Sequence, residues 1–189
     1  MFKVIVPSLL LAWSTWAGGT HQFFSETFAK VASSTVEVHN LIDWKVGDTN
    51  TYNLDMGFIK GSMVQKVREI TSEGLWMDQD LDLGFAGKQT ASQLIDPATG
   101  EIKRFIVNGK EEKVPEPGEQ EILEATESSI NVPAGQFECI YVKIKDKKSG
   151  DVTEAWINPE KVSLGGALKI VQPSQFGKIT ITLKSYIKR

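Results

Sequence analysis

The chain has 189 residues, of which 41% are hydrophobic, 24% charged and 9% aromatic; this is globular composition and excludes a disordered tail, a collagen and a disulfide scaffold. Lysine and arginine number 21 against 24 aspartates and glutamates, a net charge of -3. No cationic surplus exists to neutralise a phosphate backbone, so nucleic acid is not an expected partner.

The N-terminus reads as an export signal. Lys3 supplies a positive start, Val4 to Leu11 an apolar run, and Thr15-Trp16-Ala17 places small side chains at the two positions that a signal peptidase reads before Gly18. The apolar stretch is about 14 residues where a spanning helix needs roughly 20, so residues 1–17 are expected to be removed and not to cross the membrane. The product is then periplasmic or secreted, with residues 18–189 forming a single β-rich domain. Cys139, the only cysteine, lies far from the cleavage site and is not the acylated first residue of a lipoprotein; it reads as a packed thiol.

The first predicted element is a short amphipathic helix over Thr20 to Val31. Phe23, Phe24, Thr27, Phe28 and Val31 fall within an arc of about 140°, with Glu26 and Lys30 outside it. After Ser34 the period becomes two and turn signals recur. Ser72-Glu73-Gly74, Asp96 to Gly100, Asn108-Gly109, Lys147 to Gly150 and Pro173 to Gly177 all read as reversals, giving about ten short strands. Tight turns make consecutive strands antiparallel. Lys178 to Ile187 is the clearest strand, with Ile179, Ile181, Leu183 and Ile187 on one face and Thr180, Thr182, Lys184 and Tyr186 on the other. Phe137 to Ile144 is apolar on both faces and so expected to be covered twice. Gly165-Gly166, read as lying within a strand from Val162 to Val171, permits a sharp bend. The fold expected is therefore mainly β: a curled antiparallel sheet, a half-barrel, with one N-terminal helix filling its concave side. An outer-membrane barrel is the disfavoured membrane alternative, because Lys103 and Arg104 put a cation on each face of one strand, with Lys66 and Arg68 on another.

No catalytic signature or cofactor motif is present. Gly-x-Ser-x-Gly and phosphate-cradling glycine loops are absent, and His21 and His39 lack the neighbours that a zinc site needs. Asp78, Asp80 and Asp82 line one strand face, but a calcium loop starting at Asp78 would need glycine sixth and glutamate twelfth, where Leu83 and Gln89 stand. Folding at Ser72-Glu73-Gly74 with Thr71 opposite Leu75 sets Arg68 against Asp78 and Lys66 against Asp80, so the aspartates read as a charge ladder. The aromatics remain. Trp44, Trp76, Tyr141 and Trp156, with Phe23, Phe24 and Phe28, either pack a core or line an apolar cavity suited to an acyl chain.

Three segments carry a resemblance: Leu94 to Gly100, then Val132-Pro133-Ala134-Gly135-Gln136-Phe137-Glu138-Cys139, then Glu154 to Asn158 running on to Gly165-Gly166-Ala167-Leu168-Lys169. They resemble a family of uncharacterised exported bacterial β-proteins, over roughly the last hundred residues. In outline that family is similar to the periplasmic lipoprotein carriers LolA and LolB, whose curled sheet wraps a helix over a hydrophobic cavity. The resemblance implies a soluble envelope protein that binds a lipid or acyl chain. The alternative is an envelope interaction module with a packed core, which docks another protein through a sheet edge or exposed patch.

Overall fold

The computed structural model describes residues 43–114, 119–174 and 177–189. The expected signal peptide, the helix over Thr20 to Val31 and both histidines lie outside the described residues.

Eleven strands follow in chain order: β1 (Thr49–Asp55), β2 (Lys60–Thr71), β3 (Gly74–Asp82), β4 (Lys88–Ile95), β5 (Ile102–Val107), β6 (Lys110–Glu112), β7 (Gln120–Val132), β8 (Gly135–Asp146), β9 (Val152–Ile157), β10 (Ala167–Ser174) and β11 (Gly177–Ile187). They form one sheet of order β6-β5-β4-β3-β2-β1-β11-β10-β9-β8-β7. Each run of sequential strands is an antiparallel meander, as the short turns require. The two meanders, β1 to β6 and β7 to β11, are fused where β1 pairs with β11, Leu54 lying opposite Ile181.

The expected half-barrel is not what forms. The sheet is not closed, with β6 and β7 standing at opposite edges, and the bend expected within a strand does not arise there. Gly165 and Gly166 belong instead to the loop 158–166 between β9 and β10, and β10 begins only at Ala167. The run Val162 to Val171 misleads because Val162 and Leu164 are buried, as strand residues would be, while lying in that loop.

Turn chemistry sets several reversals directly. Asn108 and Gly109 both take positive φ, 50° and 79°, the two-residue hairpin geometry that Asn-Gly favours. Asp96 accepts the Gly100 N–H at its carbonyl and caps Ala98 N with its carboxylate. That carboxylate also meets Lys103 at 2.8 Å; the ammonium first, then the backbone N–H of Ala98, holds Asp96 below the usual carboxylate range.

Register places one row of side chains across most of the sheet: Ala125, Val142, Ala155, Ile170, Ile181, Leu54 and Gly61. From Val142 to Leu54 every member of that row is buried, and it marks the core face. Tyr52, Met63, Val67, Met77, Leu81, Phe105 and Leu183 share the core with it. Bulges then shift the alternation. Lys184 is an extra residue between the pairs Thr51 with Ser185 and Tyr52 with Leu183. Tyr186 is therefore brought opposite Asn50, half-buried, and Ile187 is left 53% exposed, the reverse of the simple alternation. On β8, Val142 and Ile144 are buried on one face while Phe137 and Cys139 are buried on the other, so the strand is covered on both sides. Beyond the end of β9 the tip of the β7–β8 hairpin meets β11. Ala134 N–H donates to Leu183 O, and Phe137 stacks at 6.0 Å on Tyr186. Burial pushes the Cys139 thiol above its ordinary pKa, as expected of a packed cysteine.

Candidate functional site

The core face carries an unusual set of polar side chains. Asn50 on β1, Gln65 on β2 and Gln79 on β3 lie directly opposite one another in register, and Gln89 and Gln93 on β4 flank Ala91, the partner of Gln79. Asn50, Gln65, Gln79 and Gln93 are all buried. A band of amides thus crosses four strands within an otherwise apolar face. Buried amides normally have their hydrogen bonds satisfied, and a buried polar group without a partner costs about 1–3 kcal/mol. Here the Gln79 Nε2 donates to Met63 Sδ at 2.8 Å, a weak acceptor, and among the described residues Gln79 Oε1 has no hydrogen-bond donor. Gln89 Oε1 and Asn50 Oδ1 are in the same condition.

Asn50 joins this band to a plug. Its Nδ2 donates to Ser163 O at 2.8 Å and to Tyr52 Oη at 3.0 Å. Burial raises the Tyr52 hydroxyl well above the ordinary phenol range, so it keeps its proton. Val162, Ser163 and Leu164 of loop 158–166 are all buried, and Ser163 Oγ is another buried oxygen with no hydrogen-bond partner among the described residues. Two further anchors hold the loop. Asn158 donates to Glu138 O at 2.7 Å and accepts the Lys161 N–H, while Lys188 Nζ donates to the carbonyls of Pro159 and Glu160. Replacing Asn50 by alanine removes the only side-chain link from β1 to Ser163 that these hydrogen bonds provide. We expect a loss of about 1–3 kcal/mol by urea denaturation and faster amide exchange confined to residues 158–166. Unchanged exchange there would show that Asn50 does not hold the loop.

The aromatic residues singled out from the sequence fall into separate places. Phe23, Phe24 and Phe28 lie outside the described residues. Trp44 is half-buried and packs against the core from the segment entering β1. Trp76 alternates with the core residues Leu75 and Met77 and so projects to the opposite face. There it is 8% exposed, flanked by the Arg68 and Arg104 guanidiniums at 5.0 and 5.6 Å from its ring. Tyr141 and Trp156 are cross-strand partners with ring centroids 5.0 Å apart, and Lys169 lies 5.1 Å over the Trp156 ring. Four strands separate this pair from Trp76.

The aspartates of β3 form a charge ladder by a different register from the one expected. Thr71 pairs with Gly74 and a bulge sits at Arg68, so Lys66 and not Arg68 is directly opposite Asp78. Arg68 nevertheless reaches Asp78 diagonally at 2.8 Å, Ser92 donates to the same oxygen, and Lys88 pairs with Asp82 at 2.9 Å. Among the described residues no group of three or more histidine, cysteine, aspartate or glutamate side chains is placed to hold a metal ion, and no helix is long and apolar enough to cross a membrane.

The amide band is not among the features singled out from the sequence, yet its pattern is there. Gln65, Gln79 and Gln93 each stand two residues from apolar inward-facing neighbours: Met63 and Val67, Met77 and Leu81, Ala91 and Ile95. A glutamine at an inward position of three successive strands is the readable signal.

No protein-family model matches the chain, and no curated protein matches it. Among solved structures, it is similar to a protein proposed to be exported, with a YmcC-like fold, from Bacteroides fragilis NCTC 9343, at 12% identity and a TM-score of 0.42 over 78% of this chain and 98% of that one. A proposed lipoprotein from Parabacteroides distasonis ATCC 8503 gives 13% identity and 0.41 over 80% and 100%. MucB gives 8% identity and 0.41 over 75% of this chain and 53% of its own. The likeness is remote, gives no specific support to a LolA or LolB carrier, and places the chain in no family.

Proposed function

We propose that the chain is a non-enzymatic binding protein of the cell envelope, exported and released after Ala17, that holds an amphipathic ligand against the core face of its sheet. The observation that carries this reading is the amide band: Asn50 Oδ1 and Gln79 Oε1 are buried acceptors with no donor among the described residues, set among apolar side chains. A ligand with an acyl or similar apolar part and a hydroxyl, amide or ammonium head that displaces part of this packing would supply the missing donors, each methylene that it buries contributing about 0.8 kcal/mol. The experiment is native mass spectrometry of protein purified from its own envelope without detergent, before and after organic extraction. An extractable added mass matching a lipid is expected, with occupancy at least tenfold lower in folded Gln79→Leu. A clean unliganded mass in protein that also fails to take up a fluorescent fatty amide would overturn the reading.

A further inference from the structure

We infer that β7 is a docking edge for an extended, basic segment of another protein, which adds to the sheet as a twelfth strand. The two edges of the sheet differ sharply. β6 has three residues, whereas β7 has thirteen and pairs, among the described residues, only with β8. Nine of the thirteen residues of β7 are exposed, including Ile122 and Leu123 at 37% and 47%, and burial rises toward Val132. A strand at an edge presents unpaired backbone N–H and C=O groups along one side, the template that strand addition uses. The bulge at Leu123 interrupts only one end, leaving Glu124 to Val132 in regular register.

Charge selects the occupant. Across the solvent face the register runs Glu154 on β9, Lys143 on β8, Glu124 on β7, an alternation of sign that ends on an anion at the open edge. One rung along, Lys145 on β8 faces Glu121 on β7. Glu127 faces the other way, opposite Ile140, and β7 contains no lysine or arginine to offset these three glutamates. Natural edges are commonly protected by lysine; this one is protected against acidic strands and a second copy of itself, and open to basic ones. The next strand in the ladder carries cations opposite Glu121 and Glu124 and apolar side chains beside Ala125 and Ile122 on the core-side face. This inference is independent of the ligand reading.

The test uses the intact protein with two end-capped ten-residue peptides, one alternating lysine and valine and the other glutamate and valine, read by amide exchange and titration. The lysine peptide is expected to protect amides within Glu124 to Val132 and to bind at least tenfold tighter than the glutamate peptide. The triple variant Glu121→Lys, Glu124→Lys, Glu127→Lys should reverse that preference. Ala125→Pro and Thr126→Pro form a second pair of variants, since consecutive strand residues point their N–H groups alternately toward β8 and toward solvent. The one that retains the wild-type circular dichroism should still lose peptide protection. No protection of β7, equal binding of the two peptides, or concentration-dependent protection without peptide, which would assign the edge to a second copy of the chain, would each overturn the inference.

Discussion

Gly166→Ala is expected to destabilise the protein by about 3 kcal/mol or more, read from the midpoint of urea denaturation. Two independent costs combine. Gly166 has φ of +70°, where an L side chain costs about 1–2 kcal/mol, and a Cβ there would stand 2.4 Å from Pro159 N and 2.5 Å from its Cα. Those are backbone atoms of the same loop, and making room means moving a segment that Asn50, Asn158 and Lys188 hold in place, a further overpacking cost of about 1–3 kcal/mol. Gly57→Ala is the matched control, because Gly57 has φ of +80° but nothing within 4 Å of the added Cβ. It should show the backbone cost alone. Equal losses at the two sites would mean that the loop does not close on itself at Pro159.

Phe105→Ala should lower stability by about 3–5 kcal/mol, the usual range for emptying a phenylalanine site in a core. Phe105 is fully buried on β5, with Gln93 of β4 on one side and Glu112 of the three-residue β6 on the other. β5 is held by its ladder with β4 on one side and by only three residue pairs with β6 on the other, and the buried ring adds side-chain packing on the core face. Ile106, the next residue, faces the other way and is half-buried; Ile106→Ala should cost about 1 kcal/mol. Comparable effects of the two substitutions would refute the assignment of faces on β5.

The parts of this fold that are legible in the sequence are local. Asn108-Gly109, Asp96 to Gly100 and the existence of the strand ending in Ile187 are dictated by residues within a few positions of each other, and these form as read, although the faces at the end of that strand do not. Bulges are not local in that sense. Arg68, Leu123 and Lys184 look like ordinary strand residues, and each shifts the pairing or face of its neighbours along the strand, as the exchange of Tyr186 and Ile187 shows. The glycine pair misleads for a related reason: Val162 and Leu164 are as buried as strand residues, but in a loop folded onto the core. For the candidate site, aromatic size points toward Trp76, which is buried by two arginines on the opposite face. The glutamines are harder to see because each alone is an ordinary strand residue; only register shows that they meet.

The pairing of β1 with β11 has a consequence for how the chain is made. Thr49 finds Ile187, so the middle of the sheet joins the two ends of the described chain. Local hairpins on either side can form as soon as they are synthesised, but the seam between them waits for β11, the last described strand, and contacts of such wide sequence separation are slow to form. A chain emerging N-terminus first would therefore carry β1 to β6 with a raw inner margin at β1. That margin stays unsealed until β11 is made and closes it.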